Sequence, residues 1–349
     1  MTNKVDSKKH YTEISVAKGI LITLMVIGHA GAPSHLVEFL YLVRMPCFFF
    51  ISGFLFKEKY LTGVKDFIKR KIKGLYVPFI KWSLIFLCLH NLFYKLNIYK
   101  LPYSFEDFAM RTFKIFTLTG SEQLLGGFWF LKELLYASII AILSMKLITM
   151  LNRRLDKKRL ITLSVLFVIL AYFASIAPFK IPTIGSRTLL ATAYFIAGYI
   201  FKKFDFRTTH TLLAGIAGYA LTIITSLFFK ANIDVTGCAI FAYFAISVIA
   251  SISTIYISKH IQGCCMHIMD YIGKNTLNIL TFHFISFKVV SLLIIIICGL
   301  PIEKLTDFPV INTNDNIMWL AYTFVGVALP IIIGLSVEKT STLIKYIKR

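Results

Sequence analysis

Acidic residues are scarce in this chain, and so is charge in general. Its 349 residues include 17 aspartates and glutamates against 38 lysines and arginines, and both signs together make up 16% of the total. Soluble domains carry about 25%. With 57% hydrophobic residues and a mean hydropathy of +0.74, the apolar surface exceeds what a water-soluble core of this size can hide. Lipid must be the solvent for much of it. Metal-ligand patterns are also lacking: Cys47, Cys88, Cys238, Cys264, Cys265 and Cys298 lie mostly inside apolar runs, with no Cys/His spacing that assembles a zinc site. Neither a metal nor a disulfide framework is expected. There is no internal repeat, no Gly/Ser linker and no composition shift, so a single membrane domain over 1–349 accounts for the chain. The first apolar run follows a polar stretch, Met1 to Tyr11, and has no small-residue cleavage signal after it. It reads as a retained helix.

What is present is long apolar runs. A span needs roughly 20 apolar residues, and such runs lie near 14–34, 36–56, 75–95, 125–148, 160–178, 186–202, 210–229, 236–258, 276–299 and 316–338. The predicted fold class is therefore an all-α, polytopic helix bundle of about ten transmembrane helices. The net charge of +21 sits in short clusters between these runs rather than on a soluble surface. That pattern argues against a nucleic-acid partner and for an anionic membrane face and a phosphorylated ligand.

Lysine and arginine bias sets the orientation. The loop after the second span holds Lys57, Lys59, Lys65, Lys69, Arg70, Lys71 and Lys73; that after the fourth holds Arg153, Arg154, Lys157, Lys158 and Arg159; that after the sixth holds Lys202, Lys203 and Arg207. The alternate loops are poorer. No lysine or arginine lies in 31–35, only Lys230 in 230–235, and only Lys304 in 300–315, against Glu303, Asp307 and Asp315. Together with Lys4, Lys8 and Lys9 at one end and Lys345, Lys348 and Arg349 at the other, this places both termini in the cytoplasm. The longest outer connection, about 96–124, contains Pro102, Glu106 and Asp107 and has room for a short surface helix or a lid.

Ionisable side chains inside spans cost at least about 2.5 to 3.5 kcal/mol on insertion scales, so each needs a partner, an aqueous cavity or a task. His29 stands eleven residues beyond Lys18 in the first span, about 16 Å further outward. Arg44 and Glu133 each lie eight residues into spans that run inward, at similar predicted depth, which makes Glu133 the expected counterion of Arg44. His283, seven residues into the ninth span, approaches from the cytoplasmic side. Four ionisable groups from four helices thus converge on one predicted zone. An interhelical ion-pair network is the bland reading. A histidine base, a carboxylate that orients it and an arginine that holds an oxyanion make an acyl-transfer set; carboxylate and histidine chains also serve as proton relays in transporters. On the cytoplasmic side Arg70, Lys71 and Lys73, with Lys18 nearby, form a basic group suited to the phosphates of a cytosolic cofactor. Trp129 and His35, at the outer ends of their segments, are candidates for contact with an acceptor.

The stretch from Ile14-Ser15-Val16-Ala17-Lys18-Gly19 to Val26-Ile27-Gly28-His29 resembles the opening of the acyltransferase 3 family. Arg44-Met45-Pro46-Cys47-Phe48-Phe49-Phe50-Ile51-Ser52-Gly53 is similar to that family's Met-Pro-x-Phe-Phe-Phe-x-Ser-Gly signature. Weaker likenesses continue through the basic stretch 69–73, Phe128-Trp129-Phe130-Leu131, and Ile272-Gly273-Lys274-Asn275-Thr276-Leu277 followed by His283. The short form with Lys18 looks most like the branch of fucose 4-O-acetylases and enterobacterial common antigen acetyltransferases. The resemblance implies O-acylation of a carbohydrate, a surface polysaccharide or lipid-linked glycan, in a bacterial inner or plasma membrane, with acetyl-CoA as the cytosolic donor and no metal. It implies that His29 is the essential first-span histidine and that Arg70 and its lysine neighbours bind coenzyme A. It leaves homo-oligomerisation open. The rival expectation is a transporter or exporter of a glycan or lipid intermediate, disfavoured by the absence of an evident repeat.

Overall fold

The computed structural model describes residues 12–151, 154–178, 183–204, 210–311 and 317–347, with side chains as far as 337. Among the charges that set the predicted orientation, Lys4, Lys8, Lys9, Arg153, Arg207, Asp315, Lys348 and Arg349 lie outside the described residues, as does the side chain of Lys345.

Every regular element among the described residues is helical. The chain begins with α1 (Thr12–Ile27) and α2 (Ser34–Phe54), then a short α3 (Val64–Lys71) that passes through a π-turn at Ile72–Tyr76 into α4 (Val77–Cys88) and α5 (His90–Lys95). The next helices are α6 (Phe105–Phe116), α7 (Trp129–Met150), α8 (Lys157–Ile176), α9 (Ser186–Lys203) and α10 (Thr211–Phe228). The chain closes with α11 (Ala239–Ser258), α12 (Gly263–Lys274), α13 (Thr276–Cys298) and α14 (Met318–Ile347).

All ten predicted stretches carry helix, and seven of the described helices are long and apolar enough to cross a membrane: α2, the segment Gln123–Met150 that contains α7, α8, α10, α11, α13, and Met318–Val337 of α14. The other three fall short for visible reasons. α1 has 16 residues, the third stretch breaks after Cys88, and α9 carries Arg187, Lys202 and Lys203 within its 18 residues. Among the described residues three α-helices lie between the predicted spans, α3, α6 and α12. α6 occupies the long 96–124 connection, started by a capping box in which the Ser104 side chain accepts from the Asp107 amide and Asp107 accepts from the Ser104 amide. α12 fills what the apolar pattern leaves as a loop; at 12 residues it is about 18 Å long, too short to span.

In lipid, helices gain little from burying apolar groups against each other and instead pack through small residues that let backbones approach. Two such crossings organise the bundle. At the first, a Cβ on Gly53 of α2 would stand 1.7 Å from the Phe195 carbonyl oxygen of α9, and one on Gly198 of α9 would stand 1.9 Å from the Phe50 carbonyl oxygen. At the second, a Cβ on Gly19 of α1 would meet the Met269 carbonyl oxygen at 2.0 Å, and one on Gly273 of α12 the Ser15 carbonyl oxygen at 1.8 Å. These crossings put α1, α2 and α9 at the centre, with α13 closing the other side of α1. α10 and the outer face of α8 expose leucine, isoleucine and phenylalanine, as lipid-facing helices do.

Candidate active site

α1 stops at Ile27, and a turn through Gly28, His29 and Ala30, followed by Gly31 at φ +82°, carries His29 to the helix end. The missing side chain of Gly28 makes room for Arg44: a Cβ there would lie 1.9 Å from the Arg44 Nη1. Arg44, on α2 and 5% exposed, donates from Nη1 to the Met25 carbonyl at 3.3 Å and lies 4.8 Å from the centroid of the Tyr41 ring. Its Nε is buried without a partner. Among the described residues no carboxylate forms an ion pair with it.

His283 comes up from α13, fully buried. Its Nδ1 faces the carbonyl oxygens of Ile279 and Leu280 at 3.0 and 3.1 Å. Both neighbours are acceptors, so Nδ1 carries the hydrogen and donates, which leaves Nε2 with its lone pair in the neutral ring. That Nε2 is buried and unpartnered. The rings of His29 and His283 lie 5.8 Å apart, and Phe284 packs on both, at 5.2 and 3.9 Å.

A cavity of about 330 Å³ opens onto His29, Arg44, Trp129, Tyr41 and Tyr243. Its mouth is framed by Arg187 and Asp234, joined by a hydrogen bond of 2.8 Å from the arginine Nε, with the guanidinium 4.4 Å from the centroid of the Trp129 ring. Below it lies a second cavity of about 250 Å³, lined by apolar side chains and by Lys18 and Ser52. Met25, Met45 and Leu280 line both, forming the partition between them.

The basic group at 70–73 divides. Lys71 turns inward, donating to Ser52 Oγ at 3.0 Å between the rings of Phe67 and Phe195. Burial pushes its ammonium down to about 8, with Arg70 adding in the same direction. Arg70 donates to the Tyr60 hydroxyl at 2.8 Å, and Lys73 is exposed. Lys71 therefore reaches the wall of the lower cavity through Ser52, and Lys18 lines it directly.

Glu133 does not join the histidines. It accepts from Thr188 Oγ1 at 2.5 Å and pairs with Lys132 at 3.1 Å, so the predicted Arg44–Glu133 ion pair is not formed. Depth along a helix follows from residue counting, but the direction around the axis does not, and Glu133 points toward α9. His35, exposed on the first turn of α2, lines neither cavity. Arg187, Asp234, Asn232, Tyr41 and Tyr243 line the upper cavity without having been singled out in the sequence. The available signal was a pair of opposite charges, Arg187 and Asp234, at the edges of segments predicted to end on the same side.

Residues 11–335 match the family described as an acyltransferase domain, the acyltransferase 3 family. No curated protein and no solved structure matches the chain. With that match over nearly its whole length and a multi-pass helical fold that brings a half-buried His29 beside the buried His283, the chain belongs to the acyltransferase 3 family of membrane acyltransferases.

Proposed function

We propose that this protein moves an acetyl or similar short acyl group from cytosolic acyl-CoA to a hydroxyl of a surface polysaccharide or lipid-linked glycan, across a bacterial plasma membrane. In this reading the chain has about ten spans with both termini in the cytoplasm, so the Lys18 end of α1 faces the cytosol and the His29 end faces outward. The observation that carries the reading is the pair of cavities with a common partition at Met25, Met45 and Leu280. One opens beside Lys18 and the Lys71–Ser52 contact; the other opens onto His29, Arg44 and Trp129.

Coenzyme A docks by its phosphates on Lys71, Arg70 and Lys73, with Lys18 at the cavity wall, and its narrow arm lies in the apolar lower cavity. The thioester meets the partition. His29 takes the proton of the acceptor hydroxyl as its oxygen attacks the carbonyl carbon; the C–S bond breaks and the coenzyme A thiolate leaves, to be protonated in turn. The free Nε–H of Arg44 stabilises the tetrahedral oxyanion. His283 offers Nε2 as an acceptor beside His29, which suits a proton relay within the pair. Trp129 gives the acceptor an aromatic face at the mouth, and Glu133 ties α7 to α9 behind it. Acyl-CoA consumption by purified protein, together with mass spectrometry of surface glycans with and without it, tests the proposal. An acyl mass lost from the glycan and thiol release that depends on His29 are expected; glycan flux without acyl-CoA consumption would overturn it in favour of transport.

A further inference from the structure

Lys288 is 4% exposed in the middle of α13, five residues beyond His283. A methionine or leucine would fill that place without the cost of a buried ammonium in a membrane protein. The Lys288 Nζ donates to two main-chain carbonyl oxygens of the following loop, Leu305 at 2.9 Å and Asp307 at 2.5 Å. The bland account is that these carbonyls need donors in a place without water. Where the pinned loop sends its next side chain says more.

Phe308 follows Asp307 directly, and its ring lies 4.7 Å from that of Phe284. Phe284 is the ring that packs on His283 and His29 at 3.9 and 5.2 Å. Two residues on, Val310 stands against the His29 turn, 3.2 Å from where a Cβ on Gly31 would be. At the loop's far end the Ile311 amide donates to the Tyr322 hydroxyl at 3.4 Å, and that hydroxyl shares a 2.9 Å hydrogen bond with Ser291 of α13. The loop is thus fastened to α13 at Lys288 and Ser291, and between these fastenings it presses an aromatic wall onto the two histidines. Lys288 lines neither cavity.

We infer that Lys288 is a positioning residue: by holding the Leu305 and Asp307 carbonyls it seats the 302–311 loop so that Phe308 and Phe284 fix the relative placement of His29 and His283. The part of this inference that concerns turnover rests on the acyl-transfer reading; the part that concerns the wall does not. A shift of about 1 Å at reacting groups costs roughly 100-fold, so a small movement of this wall is enough to matter.

The test uses full-length protein and the variants K288M, K288R and F308L, the last of which leaves the Lys288 latch in place and decides the matter if K288M fails to fold. Diethyl pyrocarbonate modification of His29 is followed by peptide mass spectrometry in detergent. K288M and F308L label about fivefold faster or more, the mark of a locally opened wall, while K288R, which still has two donors to offer, labels at the wild-type rate. Wild-type labelling in folded K288M or F308L overturns the inference. In native membranes, the maximal rate of thiol release from acetyl-CoA falls roughly 10- to 100-fold in both variants, the half-saturating acetyl-CoA concentration stays unchanged, and K288R restores the rate. A loss carried by the half-saturating concentration instead overturns the positioning role. If neither wild type nor variants release thiol while the labelling contrast holds, the acyl-transfer reading falls and the latch stands.

Discussion

His283 reaches within 5.8 Å of His29 with one ring nitrogen committed to backbone carbonyls and the other buried and free. The two nitrogens can be tested apart, because asparagine mimics the Nδ1 donor and glutamine places its amide near Nε2. H283N is expected to keep its thermal midpoint and lose catalysis by about 10²-fold, the scale of an acid–base group, while H283Q retains more activity. H29A loses transfer by about 10²- to 10⁴-fold. Purified H29A that still acylates would remove His29 from the chemistry.

Gly28 and Arg44 form one unit, since the arginine occupies the space a side chain on residue 28 would need. G28A is expected to displace the guanidinium and reproduce the kinetic loss of R44A, with about 1 to 3 kcal/mol of overpacking cost in thermal unfolding. R44K also fails to restore activity, because an ammonium has no Nε–H in the same plane. Full activity in G28A would show that the arginine's placement is not what matters.

Coenzyme A binding should depend on pH through Lys71. Its ammonium is pushed down to about 8, so it is charged below that pH and loses its charge as pH rises through it. Attraction for phosphate is therefore full near pH 7 and weakens by pH 9. Calorimetric titration across this range is expected to show affinity falling several-fold in the wild type and a flatter profile in K71M, with salt weakening both. A flat wild-type profile would exclude Lys71 from the donor site.

The partition offers a separation of binding from transfer. Met45 lines both cavities, and replacing it with tryptophan fills the passage while leaving Lys18, Arg70 and Lys71 untouched. M45W is expected to bind coenzyme A within about twofold of the wild type and to lose acyl transfer. Equal transfer in M45W would mean that the donor reaches His29 by another path.

The sequence was informative wherever the relevant coordinate ran along a helix axis. Ten apolar stretches became helices, and residue counting placed His29, Arg44 and His283 at compatible levels. The same counting put Glu133 beside Arg44, but its carboxylate faces Thr188 instead, because rotation about the axis is decided by neighbours that a single sequence does not name. The partners revealed only by folding share that character. Arg187 and Asp234 are 47 residues apart, and Lys288 finds its acceptors in main-chain carbonyls, which have no signature in residue types. α12 escaped notice because its role is to meet Gly19 through Gly273, an approach of backbones rather than a run of apolar side chains.

That approach has a consequence for how the protein can vary. α1 carries Lys18 at the lower cavity and leads straight into His29 at the upper one, so its length is a ruler for the distance between them. The Gly19 and Gly273 contacts lock the ruler against sliding along α12. One inserted residue between Lys18 and His29 would lengthen it by about 1.5 Å and turn its far end by about 100°, carrying the histidine away from His283 and Arg44 together. The eleven-residue interval from Lys18 to His29 should therefore tolerate substitution far better than insertion or deletion.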